Sequence, residues 1–135
     1  MNEETVKNWI RRAENDMKIG KDELLTESPA TDMICFHMQQ CAEKYLKAFL
    51  IFNGIEITKT HDIYEVINHC IKLEPDFSYL IEINADILTK YAVNIRYGEI
   101  FYYPPIEETK KAVEKAEKVK NYVLEKLKEK GFENV

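Results

Sequence analysis

Arg96 and Tyr97 are followed closely by Phe101, Tyr102 and Tyr103. An arginine presents a planar fork of donors that matches phosphate oxygens, and a tyrosine ring offers a face on which a nucleobase stacks. A second polar set, His37, Gln40, Lys44 and Lys47, recurs at spacings of three and four, with Gln39 and Glu43 beside it. On a helix this spacing makes one stripe, which must face water, a partner or a ligand. His37, Lys44 and Lys47 carry the charge to hold a phosphate there. If the fold brings the stripe to the end of the helix that carries Arg96, cations and aromatic faces meet in one site for a nucleotide or a short RNA. Each set also has a plain structural account. A solvated helix face accounts for the stripe, a helix C-terminus favours a cation such as Arg96, and aromatic packing over a bundle end accounts for the tyrosines. His61, after Thr60 at a helix start, reads as structural, and His69 as surface.

The elements that must position these residues read as helices. Val6, Ile10 or Trp9, Ala13, Met17, Gly20 and Leu24 mark an amphipathic helix over Asn2–Leu25. Thr26-Glu-Ser-Pro29 breaks it, with Ser28 placed to cap the next helix and Pro29 at its first position. Ala30–Phe52 is apolar on so many sides that it belongs at the centre of a bundle, and Asn53-Gly54 ends it. Thr60 or Asp62 caps a shorter helix through Ile63, Val66, Ile67, Cys70 and Ile71, which stops before Pro75. A further helix is expected over Phe77–Arg96 on Leu80, Ile83, Ile87, Tyr91 and Ile95, and a last one from Ile106 to Gly131 after Pro104-Pro105. No convincing strand pattern appears apart from the short Ile55-Glu-Ile57. The expected fold is all-α: an antiparallel up-and-down four-helix bundle with an additional short helix, forming a single domain over residues 1–135.

Composition narrows the function classes. Hydrophobic residues make up 45% and charged residues 32%, and no apolar run approaches the roughly 18 residues that cross a bilayer, so no membrane insertion is expected. The acidic start Met-Asn-Glu-Glu-Thr lacks a secretory pattern, and a cytoplasmic location is expected. A net charge of -5 disfavours duplex DNA while leaving room for a local basic groove. Cys35, Cys41 and Cys70 cannot all pair within the chain and are expected as reduced core thiols. In Cys35-x-His37-x3-Cys41 the helical period points Cys35 away from the other two, so no metal and no cofactor is expected.

Taken in order, Trp9-x3-Ala13-x2-Asp16, Gln39-Gln40-x-Ala42-Glu43-Lys44-x2-Lys47, Thr60-His61-Asp62, Arg96-Tyr97 and the long charged final helix resemble the HEPN family. These are small helical-bundle proteins shared by prokaryotes and higher eukaryotes. The resemblance covers nearly the whole chain. It implies a homodimer, and a partner that is a minimal nucleotidyltransferase, the two forming a toxin and antitoxin pair.

Catalytic members of that family are metal-independent ribonucleases built on an Arg, four to six residues, then a His. Such a His moves the proton of an attacking 2'-hydroxyl, and the Arg stabilises charge on the phosphoryl group. Here Arg96 takes the first position as the candidate catalytic residue, but the histidine window holds Phe101, Tyr102 and Tyr103. One branch extends the motif to Arg-x4-His-x-Tyr, whose tyrosine receives AMP from the nucleotidyltransferase. The string Arg96-x4-Phe101-x-Tyr103 keeps its first and last members, which makes Tyr103 the candidate modification site. The expectation is a nucleotide- or RNA-binding homodimer with an incomplete ribonuclease motif, its ligand-binding candidates being His37, Gln40, Lys44, Lys47, Arg96, Tyr97 and Tyr102. Its rivals are an active ribonuclease with His37 or Tyr102 as substitute base, and a module that binds protein alone.

Overall fold

The computed structural model describes residues 2–92 and 101–133 and is helical, with no strand among the described residues. The long helices are α1 (Glu3–Leu24), α2 (Thr31–Phe52) and α5 (Ile106–Glu129), with α3 (Ile63–Leu73) and the short α4 (Ser78–Glu82) between them. The nearly all-round apolar sequence of α2 makes it the axis, and α1, α3, α5 and residues 85–91 all pack on it. Ile34, Met38, Tyr45, Leu46 and Phe49 are sealed from water along its length.

The third upright of the bundle, after α1 and α2, is not the continuous helix expected over Phe77–Arg96. A 3-10 turn at Pro75–Phe77 leads into α4, Asn84 then adopts the left-handed conformation (φ 61°), and a 3-10 helix covers Ala85–Tyr91. The left-handed residue stops the α-helical ladder, since an asparagine tolerates a backbone that a helix cannot contain. Beyond it the period tightens to three residues per turn, which buries Ala85, Leu88 and Tyr91 and turns Ile87 out, 47% exposed. Residues 93–96, at the end of the expected helix, lie outside the described residues.

This broken segment runs antiparallel to α5. Lys126 Nζ lies 3.4 Å from Asp76, Lys115 Nζ donates to the Ile83 carbonyl at 2.9 Å, and Lys90 Nζ lies 3.3 Å from Glu108. The order α1, α2, residues 75–91, α5 therefore alternates in direction, as an up-and-down bundle requires.

Local signals fix most of the ends. Asp62 caps α3, its carboxylate accepting from the amides of Tyr64 and Glu65. Gly54 at φ +77° and Gly131 at φ +98° close α2 and α5 with paired bonds back to the last turn: Ile55 N–H to the Leu50 carbonyl, and Phe132 N–H to that of Leu127. The start of α2 differs from expectation. It begins at Thr31 after Ala30, with no side-chain cap, and Ser28 and Pro29 stay in the connection. There the Glu23 carboxylate accepts the Ala30 N–H at 3.0 Å, so the acceptor comes from the preceding helix.

Gly20 sets the approach of α1 to α2, because a Cβ there would collide with Met38 Cε and lie 3.6 Å from Ile34 Cγ2. Gly20→Leu is expected to lower stability by about 1 to 3 kcal/mol through overpacking. Gly20→Ala displaces only the flexible end of Met38 and should lose less. Urea midpoints of the two variants check the ranking.

Candidate functional site

The polar stripe of α2 does not face open water. It is closed over by α1 and by the segment that leads into α3, and two carboxylates organise it. Asp16 projects from the α1 face next to the core and is only 7% exposed. It accepts a hydrogen bond from Lys44 Nζ at 2.6 Å, and His37 Nδ1 lies 2.7 Å from its other oxygen. A carboxylate oxygen only accepts, so the His37 ring carries a proton on Nδ1.

The second carboxylate is on α2 itself. Glu43 is buried and receives Lys47 Nζ at 2.8 Å, Gln39 Nε2 at 3.0 Å and His61 Nδ1 at 3.0 Å. Lys47 and Gln39 also donate to main-chain carbonyls, those of Thr60 at 2.8 Å and His61 at 3.0 Å, and Gln40 Nε2 donates to Gln39 Oε1 at 2.7 Å. Burial pushes the Glu43 carboxyl up, but the hydrogen bonds from Lys47, Gln39 and His61 outweigh it and hold the group below the ordinary glutamate value. Lys47, expected as a ligand cation, is 4% exposed and committed to this network.

A third cluster sits at the start of α5. The hydroxyls of Tyr91 and Tyr102 both donate to Glu108, with Lys90 Nζ 3.3 Å away. Burial alone would raise Glu108, and the two tyrosine hydrogen bonds and Lys90 bring it below its ordinary value. The bond to Glu108 pushes the Tyr102 phenol up, which makes it a still poorer base. Phe101 and Tyr103 flank it with 56% and 66% exposure.

The three clusters occupy different sides of α2. Cys35 Sγ meets Thr109 Oγ1, next to Glu108, at 3.7 Å, whereas His37 and Lys44 face Asp16 on α1. At 100° per residue, Lys44 stands half a turn around α2 from Cys35. Within one chain, therefore, the stripe and Tyr102 are not brought together. Arg96 and Tyr97 lie outside the described residues.

Asp16 and Glu108 hold two of these clusters, and neither stood among the expected site residues. Glu108 opens a Lys/Glu-rich helix and reads there as one more solvated acid. Asp16 had a signal, its place in the Trp9-x3-Ala13-x2-Asp16 opening. Beside Lys44 the surface opens into a groove of about 320 Å³ lined by Thr5, Asn8, Trp9 and Arg12. All three cysteines are buried and free, and burial raises the Cys41 thiol to about 12, as far from a reactive thiolate as a core residue should be.

Comparison with known proteins adds to this geometry. A family model described as HEPN domain matches residues 6–128. The chain is 35% identical over 131 residues to the Methanocaldococcus jannaschii protein named "Putative toxin MJ1304", covering 90% of this chain and 84% of that relative. It is also similar to the crystal structure of ST0689, an archaeal HEPN homologue, with a TM-score of 0.70 and 25% identity over 90% of this chain and 97% of the other.

Removing Glu43 leaves Lys47 buried and unpaired, which typically costs about 3 to 5 kcal/mol. Glu43→Ala is expected to show a loss of that order in urea unfolding, and Glu43→Leu combined with Lys47→Met to recover most of it. The folded-state value of Glu43 is depressed, so its stabilisation is complete above the ordinary value of 4.5 and disappears as pH falls through the folded value. Glu43→Gln should flatten that acid limb.

Proposed function

The chain belongs to the HEPN domain family, and on that premise we propose that it is a nucleotide- or RNA-binding homodimer working with a minimal nucleotidyltransferase in a toxin–antitoxin pair. The observation that carries the reading is the Arg96-x4-Phe101-x-Tyr103 string, with Tyr102 tied to Glu108 and the rings of Phe101 and Tyr103 exposed on either side. Phe101 stands where the ribonuclease histidine belongs and transfers no proton. Ligand binding then falls to the Arg96 fork and the faces of Tyr97, Tyr102 and Tyr103.

Tyr103 has the exposure that an adenylylation target needs. Its phenolic oxygen attacks the α-phosphorus of ATP held by the nucleotidyltransferase, pyrophosphate leaves, and the phenolic proton passes to solvent. Dimerisation draws support from the exposed apolar side chains of Phe101 and Ile106 and from Met33 on α2, where Phe36, Ile51 and Phe52 are only half-buried. The toxin named among its relatives agrees with the pairing.

A second reading, a ribonuclease that uses His37 as its base, is favoured by one contact, the 2.7 Å approach of Asp16 to His37 Nδ1. Such a pair orients an imidazole for proton transfer.

Light scattering should report twice the chain mass. Cleavage of single-stranded RNA in EDTA should be absent or slight, and Phe101→His should raise it, since general acid–base help is worth about a hundred- to ten-thousand-fold. Robust cleavage by the unaltered protein, abolished by His37→Ala, would transfer the conclusion to the second reading. Incubation with ATP and the nucleotidyltransferase should add AMP to the protein but not to Tyr103→Phe.

A further inference from the structure

The Trp9-x3-Ala13-x2-Asp16 opening contributes Asp16 to the polar stripe and leaves its tryptophan unused. Trp9, the single tryptophan of the chain, is half-buried, packing on the core and lining the groove beside Lys44. The helical period explains the grouping. Residues 5, 8, 9 and 12 recur at threes and fours on the edge of α1 that faces α2, while Val6, Ile10 and Ala13 turn into the core. Lys44 reaches the same groove from α2, steered by Asp16, and retains donors beyond that single bond. Arg12 is exposed and forms no ion pair among the described residues.

We propose that this α1–α2 groove is a second binding site, for a nucleotide unit either free or within single-stranded RNA. The inference rests on the reading of the chain as a nucleotide or RNA binder and assigns that ligand to a place of its own. An indole face stacks a base, the Asn8 amide offers a donor and an acceptor to the base edge, and Arg12 with Lys44 takes the phosphate. A volume of about 320 Å³ falls in the range of small-ligand clefts. An acidic peptide satisfies the two cations but makes no use of a flat aromatic wall beside an amide. The groove is also separate from the Tyr102–Tyr103 connector, because Lys44 and the α5-facing Cys35 lie on opposite sides of α2.

Trp9 is its own reporter. Titration of the full chain with AMP and with a 5'-phosphorylated oligouridylate should quench its fluorescence saturably. Arg12→Ala should weaken binding about tenfold, which corresponds to about 1.4 kcal/mol. Arg11→Ala, a same-charge change off the groove, and Arg96→Ala should leave the quenching in place. By calorimetry in an Arg96→Ala background, which removes the connector site, Trp9→Phe, which keeps a ring and the fold, should retain binding that Trp9→Ala loses. Saturation by AMP assigns the site to free nucleotides, saturation by the oligonucleotide alone to RNA, and either supports the proposal. Binding abolished by Arg96→Ala and indifferent to Arg12→Ala would overturn the groove and leave the connector reading standing. Absence of heat and quenching with both ligands would overturn both. An Arg12-dependent response to oligoglutamate, with AMP and RNA inert, would make the groove a peptide site and overturn the nucleotide assignment.

Discussion

Asp16 and Glu43 hold negative charge inside a small helical bundle, and a buried carboxylate is tolerated only when cations and donors surround it. α2 supplies them with Lys44, His37, Lys47 and Gln39, and their reach fixes much of the surrounding architecture. The Asp16 contacts set α1 at one rotation and height on α2. The Glu43 network pulls residues 60 and 61 onto α2, which places the start of α3. From there Ile63 N–H donates to Thr89 Oγ1, and the 3-10 helix so positioned presents Tyr91 to Glu108. The order reaches from a pair of buried charges to the base of the Tyr102 connector through a succession of named bonds.

α2 separates two surfaces. On one side α1 covers the polar stripe and leaves the Trp9–Arg12 groove, and on another α5 and Tyr91 hold the Tyr102 connector over Glu108.

The helices α1, α2, α3 and α5 were legible because each repeats its apolar residues at threes and fours, and the C-caps were legible because glycine stands at Gly54 and Gly131. The segment after Pro75 misled for a physical reason. Leu80, Ile83, Ile87 and Tyr91 satisfy an α-helical period, while Ala85, Leu88 and Tyr91 satisfy a period of three equally well, and only the left-handed Asn84 decides between them. The stripe on α2 was legible as a set but not in its direction. Spacing says which residues share a face, and what opposes that face is a carboxylate elsewhere in the chain. Glu108 was hidden by its company, one acid in a helix of lysines and glutamates, until the fold set Tyr91 and Tyr102 against it.

The acceptors at the far end of the Glu43 network are main-chain carbonyls, those of Thr60 and His61. Every residue type carries that carbonyl, so the tether from Lys47 and Gln39 places no demand on the side chains at 60 and 61. The hydroxyl of Thr60 serves only the local turn, accepting from Asp62 N–H, and the His61 ring adds one bond among several to Glu43. The two halves of this contact therefore answer differently to substitution: Lys47 and Gln39 lose the tether with their donors, whereas Thr60→Ala leaves in place the carbonyl that Lys47 grips.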